Sequence, residues 1–160
     1  MLSISKMSKE ELEQEILKGI EDIENGRVHK FEDVEAVFKW TFEGDKYLAS
    51  NDYENAEKAY LKSTMICEDK YLSSYGYYKL GLLYYKFQKP DILYSKAYFE
   101  LALKYGEKNA SYYLATIYEW ENENENTKYN SETINDLYKL ASEEAYDDNV
   151  KKLAFGKYKK

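Results

Sequence analysis

The stretch AYLKSTMIC at residues 59–67 is followed by two gapless counterparts, YFELALKYG at 98–106 and LYKLASEEA at 137–145, whose starts are 39 residues apart each time. All three copies share an aromatic second residue, a small residue three positions later and a small last residue. In chain order these are Tyr60, Ser63 and Cys67; Phe99, Ala102 and Gly106; Tyr138, Ala141 and Ala145. A period between 20 and 50 residues is typical of stacked helical repeats.

A second motif lies between these copies. GYYKLGLLYY at 76–85 aligns with ASYYLATIYE at 110–119, and KWTFEGDKYL at 39–48 is an earlier copy. Each has a small residue followed three positions later by tyrosine: Gly44 and Tyr47, Gly81 and Tyr84, Ala115 and Tyr118. We therefore predict two alternating helix types, in which the small residue lets a neighbouring helix approach and the tyrosine packs on the same face. One such pair cannot bury its apolar face alone, so the pairs should stack.

The pattern predicts helices over about 31–50, 53–68, 73–87, 92–105, 109–120 and 132–144, with a short closing helix from about 148. Asn51 and Asp52 should form the turn between the first two of them. The segment ENENENTKYN at 121–130 contains one apolar side chain, that of Tyr129. It is predicted to be a long, flexible loop, because it has little apolar area to offset the entropy of ordering.

The region 37–145 resembles the tetratricopeptide family and, in its later copies, the Sel-one-like relatives of that family. Residues 40–63 follow the tetratricopeptide pattern at Trp40, Gly44, Tyr47, Ala56 and Tyr60, although Glu43 stands where an apolar residue is usual. The resemblance implies an all-α fold, a right-handed α-solenoid of about three tetratricopeptide/Sel-one-like helix pairs. Residues 1–36 would form an N-terminal helical cap, and residues 37–160 the repeat domain, in one compact unit with the cap.

The N-terminal cap is expected from an amphipathic pattern. Ser8 and Glu11 have the spacing of a capping box, and Gly26 ends the pattern. The apolar stripe between them consists of Leu12, Ile16, Leu17, Ile20 and Ile23. We expect this stripe to pack on the first repeat, although a free binding arm remains open as an alternative.

Composition excludes several classes of function. The formal net charge is −7 and the pI is about 4.9, so a basic nucleic-acid surface is not expected, nor is binding to an anionic membrane. One cysteine cannot form an internal disulfide, and one histidine with one cysteine makes a zinc site improbable. The start of the chain does not have the pattern of a secretory signal, so we expect a cytoplasmic protein with no cofactor and no metal.

Catalytic chemistry is not expected either. His29 lies between two predicted helices, with no nucleophile or carboxylate nearby in the pattern that catalysis needs. Cys67 occupies a position that holds Gly106 and Ala145 in the other copies, which favours packing over a reactive thiol. The chain also lacks phosphate-binding glycine loops and the common hydrolase motifs. We therefore expect a protein that is not an enzyme.

The family resemblance implies a binding surface on the inner faces of the first helix of each pair. In the first pair this face would hold Phe38, Thr41, Asp45 and Leu48. In the next two pairs it would hold the predicted groove residues: Tyr75, Tyr78, Leu82, Tyr85, Lys86, Tyr112, Thr116, Glu119 and Trp120. Rigid aromatic side chains are typical of binding hot spots, so we predict a protein or peptide partner in this Tyr-rich groove. The alternative is that the N-terminal helix or a neighbouring chain covers it.

Residues 13–38 also resemble, weakly, the toxin-binding tail of small bacterial antitoxins. The matching residues are Gly19, Asp22, Ile23, Gly26, Arg27, Val28, Glu32 and Val34. The resemblance implies an alternative function, that of an immunity protein or antitoxin that neutralises a bacterial toxin by direct binding. A helical hairpin that caps a solenoid would produce much of the same pattern.

Overall fold

The chain folds into α-helices, and the computed structural model describes residues 31–87, 91–125 and 129–158, together with residues 8, 10, 13, 14 and 17. The three continuous ranges contain seven α-helices and no strand. They are α1 (Phe31–Ala49), α2 (Tyr53–Met65), α3 (Ser74–Leu82), α4 (Ile92–Lys104), α5 (Ala110–Asn124), α6 (Ser131–Glu144) and α7 (Asp148–Lys157). A π-helical turn, Leu83–Phe87, continues α3. The prediction of an all-α protein is confirmed.

Short polar side chains determine where several helices begin. Four helices begin at a side chain that accepts hydrogen bonds from backbone N–H groups of the first turn. These caps are Asp52 for α2, Asp91 for α4, Asn130 for α6 and Asp147 for α7. Such caps satisfy donors that have no partner inside the helix, and each stabilises it by about 1 kcal/mol. The predicted turn before α2 is also present, since Asn51 has a left-handed φ of 60°.

Each helix packs mainly against the helices that precede and follow it in the chain, with minor contact between α1 and α3 and between α5 and α7. The larger apolar core extends from Tyr78 on α3 to Ala154 on α7. A smaller core joins Ala56 and Tyr60 of α2 to Leu80 of α3. Residues that are close in sequence therefore make most of the contacts.

The 39-residue sequence repeat corresponds to a repeat of buried positions. Tyr60, Phe99 and Tyr138 are exposed by 0%, 0% and 2%. The small residues three positions later are Ser63, Ala102 and Ala141, and all three are fully buried. The predicted packing role of these positions is confirmed.

The glycines of the second motif explain why that motif needs a small residue. A Cβ atom added to Gly44 would lie 2.4 Å from the ring of Tyr60, and one added to Gly81 would lie 2.6 Å from the ring of Phe99. Both distances are far inside van der Waals contact. The aromatic residue of the second helix thus packs directly on the glycine of the first helix in the same pair.

We expect Gly81→Ala to lower the free energy of unfolding by about 1–3 kcal/mol, the usual cost of overpacking a core. Gly156→Ala is the matched control, because Gly156 is also helical but its added Cβ would meet no atom within 4 Å. That substitution should stabilise the protein by up to about 1 kcal/mol through helix propensity. Urea denaturation of both variants, followed by circular dichroism, measures the difference. Equal effects of the two substitutions would contradict the packing of Phe99 on Gly81.

Three sequence-based expectations about the repeats need correction. Trp40 and Tyr47 recur at repeat positions, which predicts that both are core residues. Tyr47 is instead 37% exposed, and Trp40 is only partly buried, because both line a surface groove between α1 and α2. Gly106 has a φ of +101°, which a residue with a side chain rarely adopts. Cys67 and Ala145 do not share this conformation, so small size alone does not explain Gly106.

The described parts of the segment 121–130, residues 121–125 and 129–130, differ from the long, flexible loop that its composition predicts. Helix α5 continues to Asn124, and the Tyr129 ring stacks on that of Tyr118 with centroids 3.8 Å apart. Asn122 accepts a hydrogen bond from the Tyr129 backbone N–H at 2.7 Å and donates one to its carbonyl at 3.0 Å. The side chain of Glu121 is buried beside Lys96. These contacts order both ends of the segment.

Most of the predicted N-terminal cap lies outside the described residues, including Glu11 of the capping box and four residues of the apolar stripe. The fifth, Leu17, is 58% exposed, so its expected burial is wrong. At about 100° per residue, Leu17 lies roughly 100° away from the mean direction of the other four stripe positions. Residues 31–36, which we expected to belong to the cap, form the first turns of α1.

Candidate functional site

A buried aromatic cluster supports the face that the sequence marks as a groove. The rings of Phe99 and Tyr113 stack at 5.1 Å, and the ring of Tyr78 lies 6.1 Å from Phe99 and 6.0 Å from Tyr113. Tyr78 is only 5% exposed, and this burial raises the pKa of its hydroxyl. The expectation that Tyr78 lies on the exposed wall is therefore wrong, because Tyr113 and Phe99 pack against it.

A partly exposed layer lies over this cluster. The Tyr85 ring meets that of Tyr113 edge-on at 5.4 Å, and the hydroxyls of Tyr85 and Thr116 lie 3.3 Å apart. The exposed Lys86 donates a hydrogen bond from its ammonium to the Tyr113 hydroxyl at 3.2 Å. The predicted groove residues Tyr85, Lys86 and Thr116 are thus brought together across the end of α3 and the middle of α5.

The same face continues to Tyr112 and Glu119 on α5. The ring of Tyr112 is 5.9 Å from that of Tyr138. The Tyr138 hydroxyl donates to Glu119 Oε2 at 2.7 Å, and Lys157 Nζ donates to the same oxygen at 3.2 Å. Burial, followed by the bond to Glu119, raises the pKa of Tyr138. The phenol therefore remains a neutral donor at physiological pH.

An open cavity of about 380 Å³ adjoins this end of the face. Glu119 of α5, Lys157 of α7 and residues of α6, among them Ser131, Ile134 and Tyr138, line it. The cavity combines a carboxylate, an ammonium and apolar ring surface within reach of a single bound side chain.

Three predicted groove residues lie at the margins of the face. Tyr75 is 38% exposed and its ring lies 6.0 Å from Tyr78. Trp120 is 42% exposed and follows Glu119 in the chain. Leu82 is half-buried against the core. We define the α3/α5 surface as the partly exposed residues Tyr75, Leu82, Tyr85, Lys86, Tyr112, Thr116, Glu119 and Trp120.

Three of the four groove positions predicted on α1 make contacts inside the protein. Thr41 is buried and donates to the carbonyls of Val37 and Phe38 within its own helix, so its expected exposure is wrong. Asp45 accepts a hydrogen bond from the Tyr60 hydroxyl at 2.6 Å and pairs with Lys79 at 2.7 Å. Leu48 is half-buried against the smaller core, and Phe38 is 67% exposed.

Sequence reasoning missed two residues of this site, Tyr113 and Lys157. Tyr113 is the hub of the aromatic cluster, yet the repeat alignment places it opposite Lys79, which suggested no aromatic role. Lys157 reaches Glu119 from α7, a contact between residues 38 positions apart that no local pattern signals.

The residues considered for catalysis are not assembled into a reactive site in the described part of the chain. Cys67 is buried, and its sulfur lies 3.3 Å from the carbonyl oxygen of Asp69. His29 lies outside the described residues. Those that are described contain no group of three or more histidine, cysteine or acidic side chains that could hold a metal. Across the same residues, no helix has the length and apolar character needed to cross a bilayer.

Comparison with protein-family models, with curated proteins and with solved structures gives no match to this chain. Most residues that resemble the antitoxin tail lie outside the described residues, and the last two, Glu32 and Val34, are in the first turn of α1.

Proposed function

We propose that this chain is a non-catalytic protein-interaction module that binds a segment of a partner protein on the α3/α5 surface. The proposed architecture is a tetratricopeptide/Sel-one-like α-solenoid, in which the first helix of each pair carries the binding surface. The packing of consecutive helices and the repeat of buried positions support this architecture.

The observation that carries the proposal is the contrast between a rigid aromatic base and a partly exposed layer above it. Tyr78, Phe99 and Tyr113 are almost fully buried, so they hold Tyr85 and Tyr112 in place before a partner arrives. Aromatic side chains that are already ordered lose little entropy on binding and bury a large area. Lys86 and Glu119 provide one charge of each sign on the same face, which favours a partner segment with apolar and polar side chains.

The first experiment is a pull-down with the tagged full-length chain from its native host, followed by mass spectrometry. The affinity of the partner found is then measured by calorimetry with purified proteins. A toxin among the captured proteins would favour the alternative function, that of an immunity protein or antitoxin. A failure to capture any specific partner would contradict the interaction proposal.

Replacing both Tyr112 and Trp120 with alanine should weaken binding of this partner by about 2–4 kcal/mol, since each aromatic anchor contributes about 1–2 kcal/mol or more. Tyr94→Ala is the control, because Tyr94 is an exposed tyrosine that lies on α4, outside the α3/α5 surface. The control should leave affinity unchanged. If both proteins bind like the wild type, the α3/α5 surface is not the binding site.

A further inference from the structure

A charged cavity lies at one end of the α3/α5 surface. We call it the Glu119 cavity. It has a volume of about 380 Å³, and Glu119, Tyr138 and Lys157 line it together with further residues of α6. Sites for small molecules begin at about 300 Å³, so the cavity has room for one long side chain. Of the described charged residues that line it, Glu119 and Glu132 are acidic and Lys157 is basic. The cavity therefore favours a cation.

One cation of the chain itself is already bound to Glu119. The Lys157 ammonium donates a hydrogen bond to Glu119 Oε2 at 3.2 Å, and the Tyr138 hydroxyl donates to the same oxygen at 2.7 Å. Tyr138 is only 2% exposed, so its hydroxyl holds the carboxylate in a fixed position. Among the described residues both donors use Oε2, which leaves Oε1 to accept from a further donor.

Lys157 is a cation that a partner can replace. Its side chain is 51% exposed, and that of Glu119 is 38% exposed. Exposed ion pairs of this kind contribute little to stability, and the lysine ammonium is carried on a flexible four-carbon stem. A basic side chain from outside can therefore take the place of Lys157 on Glu119 without disturbing the fold.

The cavity is continuous with the α3/α5 surface. Glu119 belongs to both, and the ring of the half-exposed Tyr112 lies 5.9 Å from that of Tyr138. Ile134 adds apolar lining inside the cavity. Long basic side chains pack their methylene stems on such apolar surface and keep the charged head at polar groups. A segment bound over Tyr112 is therefore placed to insert a basic side chain beside Glu119.

We propose that the Glu119 cavity binds an arginine side chain of the partner segment, which displaces Lys157 from Glu119. This inference rests on the proposed function, because the arginine belongs to the partner expected on the α3/α5 surface. The planar guanidinium carries five N–H donors, enough for the carboxylates of Glu119 and Glu132 and for the hydroxyl of Ser131, all of which line the cavity. The net charge of −7 also attracts a basic segment.

The first test needs no partner protein. The full-length chain, labelled with ¹⁵N, is titrated with N-acetylarginine amide and followed by two-dimensional NMR of its backbone amides. We expect saturable shifts at Glu119, Ser131, Glu132 and Lys157. N-acetylcitrulline amide is the control probe, because citrulline has nearly the same shape as arginine but no charge, and it should cause no saturable shift at these residues. Equal responses to the two probes, or no response to arginine at the cavity, would overturn the proposal.

Three variants of the chain test the roles of the charged groups in the same titration. Glu119→Gln should raise the dissociation constant of the arginine probe about threefold or more, since it removes the carboxylate charge but keeps an oxygen for the Tyr138 hydroxyl. Glu123→Gln is the matched control, because Glu123 is an exposed glutamate of α5 that does not line the cavity. Lys157→Gln should lower the constant about twofold, because the competing ammonium is gone. Equal constants for Glu119→Gln and Glu123→Gln, or weaker binding by Lys157→Gln, would overturn the proposal.

The partner captured in the pull-down separates this proposal from the proposed function. Its affinity should fall with Glu119→Gln and stay unchanged with Glu123→Gln. If replacing Tyr112 and Trp120 weakens the partner but these two glutamine variants bind it equally, the arginine proposal is wrong and the proposed function stands. If no partner is captured, the proposed function fails, and the titration with the arginine probe still decides whether the cavity binds arginine.

Discussion

Replacing Phe99 with alanine is expected to lower the free energy of unfolding by about 3–5 kcal/mol, the usual cost of truncating a buried aromatic residue. The Phe99 side chain is fully buried. Its ring stacks on that of Tyr113 at 5.1 Å and lies 6.1 Å from those of Tyr78 and Tyr85. Alanine would leave a cavity next to Tyr78, Tyr85 and Tyr113. Urea denaturation of the full-length chain measures the change.

Two further variants make this result specific. Leu93→Ala removes a side chain that is 71% exposed on the same helix, and should change stability by no more than about 0.5 kcal/mol. Gly81→Ala should cease to be destabilising in the Phe99→Ala protein, because the ring that its Cβ would meet is gone. A loss below 1 kcal/mol for Phe99→Ala, or additive effects of the two substitutions, would contradict the packing described above.

The helices and the buried positions of the 39-residue repeat could be predicted because the signals are local and repeated. Caps such as Asp52 and Asp91 mark helix starts within three residues of the groups they bind. Tyr60 packs on Gly44 and Phe99 packs on Gly81. The same residue types therefore recur at the same positions of both copies. A repeated residue type therefore indicates which positions are packed in the core, which a single copy of the motif could not indicate.

Exposure within the repeat could not be predicted in the same way, because it depends on what the neighbouring helix contributes. Tyr78 and Tyr112 occupy equivalent positions in the two aligned motifs, yet Tyr78 is buried and Tyr112 is half-exposed. The difference follows from Tyr113, whose ring packs on Tyr78 from the next pair. The position equivalent to Tyr113 in the preceding motif is Lys79, so the alignment did not indicate that an aromatic ring would cover Tyr78.

The segment 121–130 is a second case in which contacts with a neighbouring helix could not be predicted from the sequence. Its composition suggested disorder, since Tyr129 is its one apolar residue. Tyr129 nevertheless packs in a defined position, because Tyr118 supplies a flat partner ring and Asn122 pairs with the backbone of Tyr129. Composition counts apolar residues but does not reveal whether a partner lies within reach.

Replacing Lys96 with methionine is expected to lower the free energy of unfolding by about 3–5 kcal/mol, because it leaves the buried carboxylate of Glu121 without its counter-ion. The Lys96 ammonium lies 2.7 Å from Glu121 Oε1 and 3.1 Å from the Tyr129 hydroxyl. The side chain of Glu121 is 3% exposed, and its second oxygen has no hydrogen-bond partner. The remaining oxygen therefore depends on Lys96.

The charged state of Lys96 should persist across the physiological range. Burial disfavours its ammonium, but the hydrogen bonds to Glu121 and Tyr129 outweigh burial and raise the pKa of Lys96 above its ordinary value. A raised pKa in the folded state stabilises the protein below the unfolded value of about 10.5, and this contribution is lost only as the pH rises through the folded value. The contribution of Lys96 to stability should therefore be constant between about pH 6 and 9.

The double variant Lys96→Met, Glu121→Leu separates the loss of a buried ion pair from a simple loss of packing. Replacing both partners with apolar groups of similar size is often neutral or stabilising, whereas removal of one partner leaves an uncompensated charge. We expect the second substitution to recover most of the stability that Lys96→Met removes, as measured by thermal and urea denaturation. If Glu121→Leu instead adds its own loss to that of Lys96→Met, the carboxylate is not the source of the cost. The end of α5 would then be held mainly by the stacking of Tyr129 on Tyr118.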